Sequence, residues 1–207
     1  MPEAPTPEAP TPEAPTPETS VPETSTPGVP ETQTPDFSDL PTQAHEVLAR
    51  LDALGIAHET LQHPPVFTVE EAKHVRELTR GGHVKNLFLR NKKGAMWLIT
   101  LMEDKRVDLK ALGEILNAGK LSFASPQRLK EFLGVYPGSV TALAIINDTA
   151  GQVALVLDQD LFDHETINVH PLRNDQTTNL RTKDLVAFAK AQNHMPAVIE
   201  IPQRISS

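Results

Sequence analysis

A lysine and an asparagine stand next to each other at the start of an apolar run, three residues after a pair of glycines. The stretch spans residues 81–90, and its polar pair is Lys85 and Asn86. Adjacent glycines allow positive φ or a close approach to a ligand, and residues 84–89 predict a β-strand. Lys85 would then lie at a strand mouth, where its ammonium group can reach a phosphate or a carbonyl oxygen. The alternative is a lysine that is solvated at the rim of the sheet.

A second candidate segment is the loop at residues 134–139, which contains Gly134, Pro137, Gly138 and Ser139. Two glycines and a proline within five residues form either an ordinary helix-to-strand turn or a loop that presents backbone N–H and C=O groups to a pocket. The sequence leaves both interpretations open.

The eight histidines of the chain offer one further candidate. His170 precedes a proline at the end of a predicted strand, where it can line a site or be hydrogen-bonded within the turn. His63 also precedes a proline and is better explained as a strand end. No zinc-ligand spacing, dinucleotide fingerprint, phosphate-binding loop or catalytic serine elbow is present, and there is no cysteine. We therefore predict neither a metal nor a cofactor.

Phe67 and Thr68 begin a predicted helix at residues 68–78. Thr68 and Glu71 have the spacing of a capping box, and an apolar residue before such a cap commonly packs on the first turn. Phe67 can therefore be a staple for this helix or a wall of a neighbouring pocket.

Periodicity and turn residues predict one domain of the α/β (α+β) class, with a mixed, largely antiparallel sheet covered by helices. The polar stretch 171–179 is predicted to be a connection. The predicted helices begin near residues 44, 68, 108, 125 and 182, and the predicted strands are 57–62, 84–90, 95–101, 120–123, 141–147, 152–157, 166–170 and 197–201.

Composition divides the chain at about residue 40. Residues 1–40 hold eight of the 27 acidic residues, none of the 19 basic residues, and a Pro-Glu-Ala-Pro-Thr repeat. Such a segment favours extended disorder, so we predict an arm at 1–40 and a folded domain at 41–207. The domain is formally neutral, which argues against a broad basic face for nucleic acid. Without an apolar run of about 18 residues or a secretory signal, we expect a cytoplasmic protein with no membrane partner.

Four segments together resemble the YbaK/ProX family, and in particular its freestanding alanyl-tRNA(Pro) deacylase branch, which is related to the editing insertion of bacterial prolyl-tRNA synthetase. The resemblance covers residues 41–201, and the repeat-rich arm lies outside it. The matching segments, in order, are 65–72, 85–90, 134–140 and 167–175.

This resemblance implies hydrolysis of the ester that joins a mischarged alanine to the terminal adenosine of tRNA(Pro). By analogy, Lys85 would anchor the terminal nucleotide, the backbone of the 134–138 loop would hold the aminoacyl group, and His170 would shape the amino-acid pocket. Phe67, Thr68, Asn86 and Ser139 would lie around the same substrate. The adjacent ribose hydroxyl can assist a water molecule, so no protein nucleophile is needed.

The implied partners are the tRNA(Pro) acceptor end and prolyl-tRNA synthetase. Two other readings stay open: a deacylase for another small aminoacyl group, such as Cys-tRNA(Pro), and a non-catalytic module that binds the tRNA end or the synthetase. Retention of both Lys85 and the 134–138 loop favours catalysis over simple docking.

Overall fold

The computed structural model describes residues 36–65 and 75–204. Within these residues, eight strands form one sheet. The strands are β1 (His58–Gln62), β2 (Gly82–Arg90), β3 (Met96–Met102), β4 (Ser122–Phe123), β5 (Val153–Asp158), β6 (Thr166–Val169), β7 (Gln176–Arg181) and β8 (Ala197–Ile199).

The strand order is β1-β7-β6-β2-β3-β5-β8, with β4 added to one end of β2. The β1–β7, β6–β7, β2–β3 and β2–β4 ladders are antiparallel. The β2–β6, β3–β5 and β5–β8 ladders are parallel. The predicted mixed, largely antiparallel sheet is therefore confirmed.

The helices begin where the sequence predicts, because the capping residues act as expected. Asp108 accepts hydrogen bonds from the backbone of Lys110 and Ala111, and Pro126 occupies the first turn behind Ser125. Residues 75–78 are helical, while most of the predicted 68–78 helix lies outside the described residues. The bounds are α1 (Ala44–Ala53), α2 (Leu109–Ile115), α3 (Pro126–Arg128), which continues as a π-helix at Leu129–Leu133, and α4 (Thr182–Ala191).

Alternation along the central strands divides the apolar side chains between the two faces of the sheet. Phe88 and Leu98 belong to a large core that also contains Phe188 of α4. Their strand neighbours Leu89 and Ile99 belong to a smaller core on the other face, beneath α2. The central strands are thus buried on both faces and lie rigidly between two apolar layers.

One predicted strand is wrong. Residues 141–147 were expected to pair in a hairpin with the strand that follows, but Ala142–Asn147 form a 3-10 helix whose first turn is capped by the Thr141 hydroxyl. Leu143 and Ile145 are both fully buried, so this apolar run has no polar face to reveal its period. Periodicity cannot separate a buried helix from a buried strand in such a run.

The predicted polar connection at 171–179 is also too long, because β7 begins at Gln176. Its polar side chains misled the prediction. Thr177 and Thr178 are buried, and the Thr178 hydroxyl lies 2.9 Å from that of Thr60 on β1. Cross-strand threonine pairs of this kind stabilise a sheet without apolar side chains.

Residues 36–40, which the composition assigns to the arm, pack on the domain. Phe37 and Leu40 are buried, and the Arg173 guanidinium lies 4.5 Å from the centre of the Phe37 ring. The Asp39 carboxylate accepts hydrogen bonds from Tyr136 and Lys130. This short segment therefore fixes the outer side of the 134–139 loop.

We expect Phe37→Ala to lower the free energy of unfolding by about 3 kcal/mol, because it empties a buried aromatic site. Urea unfolding followed by circular dichroism measures the change. The exposed neighbour Ser38 provides the control, and Ser38→Ala should be neutral. A Phe37→Ala loss no larger than that of the control would contradict the packing.

Candidate active site

The candidate site lies where β2 meets β6. Gly82 pairs with Ile167 and His83 pairs with Asn168 in a short parallel ladder. Gly81 has φ +88°, and a Cβ atom placed there would lie 2.3 Å from the Thr166 hydroxyl. The two glycines therefore permit the close approach of strand β6, which the sequence could not distinguish from the approach of a ligand.

A small pocket opens beside this junction. It has a volume of about 110 Å³, which is the space of a few water molecules at roughly 30 Å³ each. Among the described residues that line it, seven are polar and two, Val75 and Val84, are apolar. The lining residues are His63, Val75, Arg76, His83, Val84, Glu103, Asn168, His170 and Thr177.

The predicted site residue His170 lies in this pocket, and its imidazole is oriented by β7. Its Nδ1 lies 2.9 Å from the carbonyl oxygen of Gln176. Because a carbonyl only accepts, Nδ1 carries the proton, and in the neutral ring Nε2 is an acceptor. Nε2 has no hydrogen-bond partner within residues 36–65 and 75–204. His170 can therefore accept a hydrogen bond from a ligand.

His63 faces the same pocket but has both ring nitrogens engaged. Its Nδ1 lies 2.8 Å from the carbonyl oxygen of Pro64, and its Nε2 lies 2.9 Å from the Thr177 hydroxyl. It therefore acts as a wall that joins β1 to β7. The His-Pro dipeptide shared with His170 was the only sequence signal for its location.

Burial lowers the pKa of His170 below the ordinary histidine range, and the nearby His63 adds to this shift. Burial likewise lowers the pKa of His83. The hydrogen bond from His170 to Gln176 opposes the lowering of the His170 pKa without cancelling it. His170 is therefore neutral at pH 7 and acts in the site as a hydrogen-bonding group.

Lys85 adjoins the pocket through the loop that follows β3. Its Nζ atom donates hydrogen bonds to the carbonyl oxygens of Glu103, at 2.8 Å, and Lys105. Glu103 lines the pocket, where its carboxylate pairs with Arg76 at 2.7 Å. An ammonium group has three donors, and the described residues engage two of them, so one N–H of Lys85 can serve a ligand. Burial lowers its pKa, and the carboxylates of Asp104 and Glu103 oppose the shift.

Asn86 does not share a face with Lys85, because adjacent residues of a strand point to opposite faces. Its side-chain oxygen accepts a hydrogen bond of 2.7 Å from the buried Thr100 hydroxyl across the β2–β3 ladder. The structure thus gives Asn86 a place in the sheet interior, and its contact with substrate stays a prediction.

The 134–139 loop contains a tight turn. The Ser139 N–H donates to the carbonyl of Tyr136 at 3.0 Å, and Gly138 has φ +88° at the third turn position. Pro137 at the second position and glycine at the third are typical of a type II turn. Pro137 and Gly138 are exposed and Ser139 is buried.

The two loop glycines have different surroundings. Gly134 ends the π-helix with φ +60°, and a Cβ there would lie 2.4 Å from Pro41 Cγ and 2.7 Å from Asn147 Nδ2. At Gly138 a Cβ would meet only Asn174 Nδ2, at 3.8 Å. Asn174 belongs to the connection between His170 and β7. None of residues 134–139 is among the described residues that line the pocket, so their contact with substrate stays a prediction.

Residues that the sequence analysis did not select complete the site. Asn168 is buried beside the β2–β6 junction, and its amide donates to the carbonyl of Arg80 at 2.8 Å. Arg76, His83 and Glu103 also line the pocket. An asparagine inside a predicted strand was the one available signal, since strands are depleted in this residue type. Phe67 and Thr68 lie outside the described residues.

Comparison with known proteins agrees with the resemblance. The family model described as "Aminoacyl-tRNA editing domain" matches residues 63–188. The chain belongs to this aminoacyl-tRNA editing family. As a YbaK/ProX-type member of the family, it is an aminoacyl-tRNA deacylase, and residues 63–188 include both His170 and Lys85.

The aminoacyl-tRNA editing family includes similar curated proteins. The "Prolyl-tRNA editing protein ProX" of Acetoanaerobium sticklandii is 36% identical over 75% of this chain and 95% of its own length. The "Prolyl-tRNA synthetase associated domain-containing protein 1" of Mus musculus is 39% identical over 74% of this chain and 94% of its own length.

A solved structure described as that of a proposed trans-editing enzyme for prolyl tRNA synthetase has a TM-score of 0.62 and 21% identity, covering 78% of this chain and 97% of its own. At that identity the likeness shows the shared fold. In the described part of this editing protein, no helix has the length and apolar character needed to cross a bilayer.

The histidine environment predicts a pH dependence. Because the pKa of His170 is lower in the folded state, the unfolded chain binds more protons at mildly acidic pH. The stabilising contribution of neutral His170 is complete above about pH 6.5 and decreases as pH falls below that value. We expect His170→Gln to show a smaller stability decrease between pH 6.5 and 5 than the wild type, measured by urea unfolding. His83 contributes with the same sign in both proteins.

The control for this measurement is the exposed His45, and His45→Gln should follow the wild-type pH profile. Identical profiles for the wild type and His170→Gln would contradict the buried, neutral state of His170.

The loop glycines predict unequal stability losses. Gly134→Ala should cost about 2 kcal/mol or more, because the added methyl group meets Pro41 and Asn147 in addition to the cost of positive φ. Gly138→Ala should cost only the conformational part, about 1 kcal/mol. Urea unfolding of both variants measures the difference, and equal losses would show that the contacts at Gly134 relax freely.

Proposed function

We propose that this chain is a trans-editing deacylase that hydrolyses Ala-tRNA(Pro). The observation that supports this substrate best is the polar pocket of about 110 Å³ that contains His170 and adjoins Lys85 through Glu103. This volume suits a small aminoacyl group. The curated relatives named for prolyl-tRNA editing and for association with prolyl-tRNA synthetase support tRNA(Pro) as the tRNA.

The need for such an enzyme follows from the limits of binding selectivity. A synthetase pocket that accepts proline cannot strongly reject smaller alanine, since each missing methylene changes binding by only about 1–3 kcal/mol. A second, smaller pocket excludes the larger proline ring sterically and admits alanine. Overpacking a small, rigid cavity costs more than losing a contact in a large one.

In the proposed mechanism, His170 accepts a hydrogen bond at Nε2 from the α-ammonium group of the alanyl ester. The remaining N–H of Lys85 binds an oxygen of the terminal nucleotide. The ribose hydroxyl beside the ester assists a water molecule in its attack on the carbonyl carbon. Backbone N–H groups of the 134–138 loop stabilise the developing oxyanion. The protein thus contributes orientation and fixed dipoles rather than a nucleophile.

Asn86, Pro137, Gly138 and Ser139 belong to this proposal as substrate-binding residues, together with Phe67 and Thr68. We further propose the tRNA(Pro) acceptor end and prolyl-tRNA synthetase as partners, and a cytoplasmic location. We propose a spacer role for the arm beside the domain at 41–207, with the exception of residues 36–40, which pack on the domain. The acidic, proline-rich composition of the arm supports a spacer.

The deciding experiment is a deacylation panel with alanyl-, cysteinyl- and prolyl-tRNA(Pro), with and without a chelator. We expect fastest release from the alanyl ester, prolyl release near the background rate, and no chelator effect. Faster cysteinyl release would assign the alternative small substrate. Release at background from all three esters, combined with tRNA binding, would indicate the non-catalytic module.

Within this panel, Lys85→Ala should lower kcat/KM for the alanyl ester by about a hundredfold or more, because the ester is no longer oriented. Lys85→Arg should also be poor, since a planar fork does not replace a compact ammonium group. In Lys85→Ala the carbonyl oxygens of Glu103 and Lys105 lose their donor, which should cost about 1–3 kcal/mol of stability. Rates are therefore compared well below the melting temperature. The exposed turn residue Lys92 gives the control Lys92→Ala. Near-wild-type turnover of Lys85→Ala would contradict the proposed role.

His170→Ala should raise the ratio of prolyl to alanyl deacylation, because it removes a wall of the pocket. The measurement is the two kcat/KM values, with His45→Ala as the control at an exposed histidine. Unchanged selectivity with lowered stability would show that His170 serves only the fold.

A further inference from the structure

A second, larger cavity lies next to the pocket and shares Thr177 with it. It measures about 660 Å³ and runs over β1 and β7, so it has room for a nucleotide-sized group where the pocket has not. We call it the strand groove. The residues that line it include Thr60, Leu78, Arg80, Thr177, Asn179 and Arg181.

The backbone at Arg80 is held in place by two asparagine side chains. The amides of Asn168 and Asn179 both donate to the Arg80 carbonyl oxygen at 2.8 Å, and Asn179 also donates to the Asn168 side-chain oxygen at 3.0 Å. The next residue, Gly81, lies against Thr166. The Arg80 backbone, which lies just before β2, is therefore anchored to β6 and β7 at the edge of the strand groove.

The Arg80 guanidinium differs from the other arginine of the groove. Arg181 forms an ion pair with Asp184 at 2.8 Å. Arg80 is exposed, and within residues 36–65 and 75–204 its guanidinium forms no ion pair or hydrogen bond. A fixed backbone with an unengaged guanidinium is suited to bind an external anion in a forked geometry.

The rest of the strand groove favours a nucleotide over a simple inorganic anion. Leu78 is 59% exposed at its edge and offers an apolar surface to a base. The threonine hydroxyl oxygens keep acceptor capacity for a ribose, while both N–H groups of the Asn179 amide are already used by Arg80 and Asn168. Glu59 also lines the groove, so the ligand must carry its negative charge locally at the Arg80 end.

We propose that Arg80 binds a backbone phosphate of the single-stranded 3′ end of the tRNA, and that the strand groove holds the nucleotide to which this phosphate belongs. This inference rests on the proposed function, because it assumes that the aminoacyl ester occupies the adjoining pocket. Arg80 contributes affinity and position, and it does not touch the reacting ester.

The test measures binding of a short single-stranded RNA that ends in CCA and carries alanine through a non-hydrolysable 3′-amide, at several salt concentrations. Arg80→Ala should bind about tenfold more weakly than the wild type. The slope of log K against log salt should decrease in magnitude by about 0.7, the value for one lost phosphate contact on a single strand. Arg80→Lys should retain the slope and part of the affinity.

Arg204 is an exposed arginine outside the strand groove, and Arg204→Ala provides the matched control with unchanged affinity and slope. An Arg80→Ala protein that keeps the wild-type affinity and salt slope would overturn the proposal. The proposal would also be overturned if Arg80→Ala lost as much activity toward alanyl-adenosine, which has no phosphate, as toward Ala-tRNA(Pro). Arg80 would then act through the pocket.

The two proposals fail separately. If the wild type deacylates Ala-tRNA(Pro) and Arg80→Ala binds the RNA normally, the phosphate site is wrong and the proposed function stands. If the wild type deacylates none of the esters but its RNA binding still depends on Arg80 with the expected salt slope, the phosphate site stands and the catalytic function is wrong.

Discussion

The parallel contact between β2 and β6 is the constraint on which the site depends. Only two residue pairs form this ladder, Gly82 with Ile167 and His83 with Asn168, yet it joins β1-β7-β6 to β2-β3-β5-β8. The strands can approach because Gly81 and Gly82 have no side chains where Thr166 and His164 lie. A site built across such a junction takes His170 from one half of the sheet and His83 from the other, so its geometry depends on the packing of both halves.

Most charged groups around the pocket already have structural partners. Arg76 pairs with Glu103, and the buried Lys105 pairs with Asp158 and Asp160. This network fixes the loop whose carbonyl oxygens hold Lys85. Losing one member of such a buried pair leaves an uncompensated charge, so the network keeps the loop in one arrangement. Among residues 36–65 and 75–204, one N–H of Lys85 and Nε2 of His170 are left without a hydrogen-bond partner and can bind a ligand.

The 134–139 loop shows how one short motif can place its two glycines in different surroundings. Gly134 is required where the π-helix ends against Pro41 and Asn147, and residues 36–40 fix the loop from outside through Asp39 and Tyr136. A Cβ at Gly138 would make one ordinary contact, with Asn174 Nδ2 at 3.8 Å. Both glycines have positive φ, which the sequence favours at such positions. Their different neighbours come from distant parts of the chain and could not be read from the motif.

Elements that depend on local chemistry could be predicted from the residues alone. The Asp108 and Ser125 caps, the Gly55 stop after α1 and the hairpin around Gly94 all follow from short-range hydrogen bonds and backbone preferences. The sequence also indicated Lys85 and His170. Only the folded chain shows that residues 142–147 are helical, that Thr177 and Thr178 belong to a strand, and that Asn168 and Glu103 line the pocket while Arg80 lines the strand groove. The reason is physical: a buried apolar run has no polar face to show its period, and a polar residue inside a strand is stabilised by partners that only the folded sheet brings within hydrogen-bonding distance.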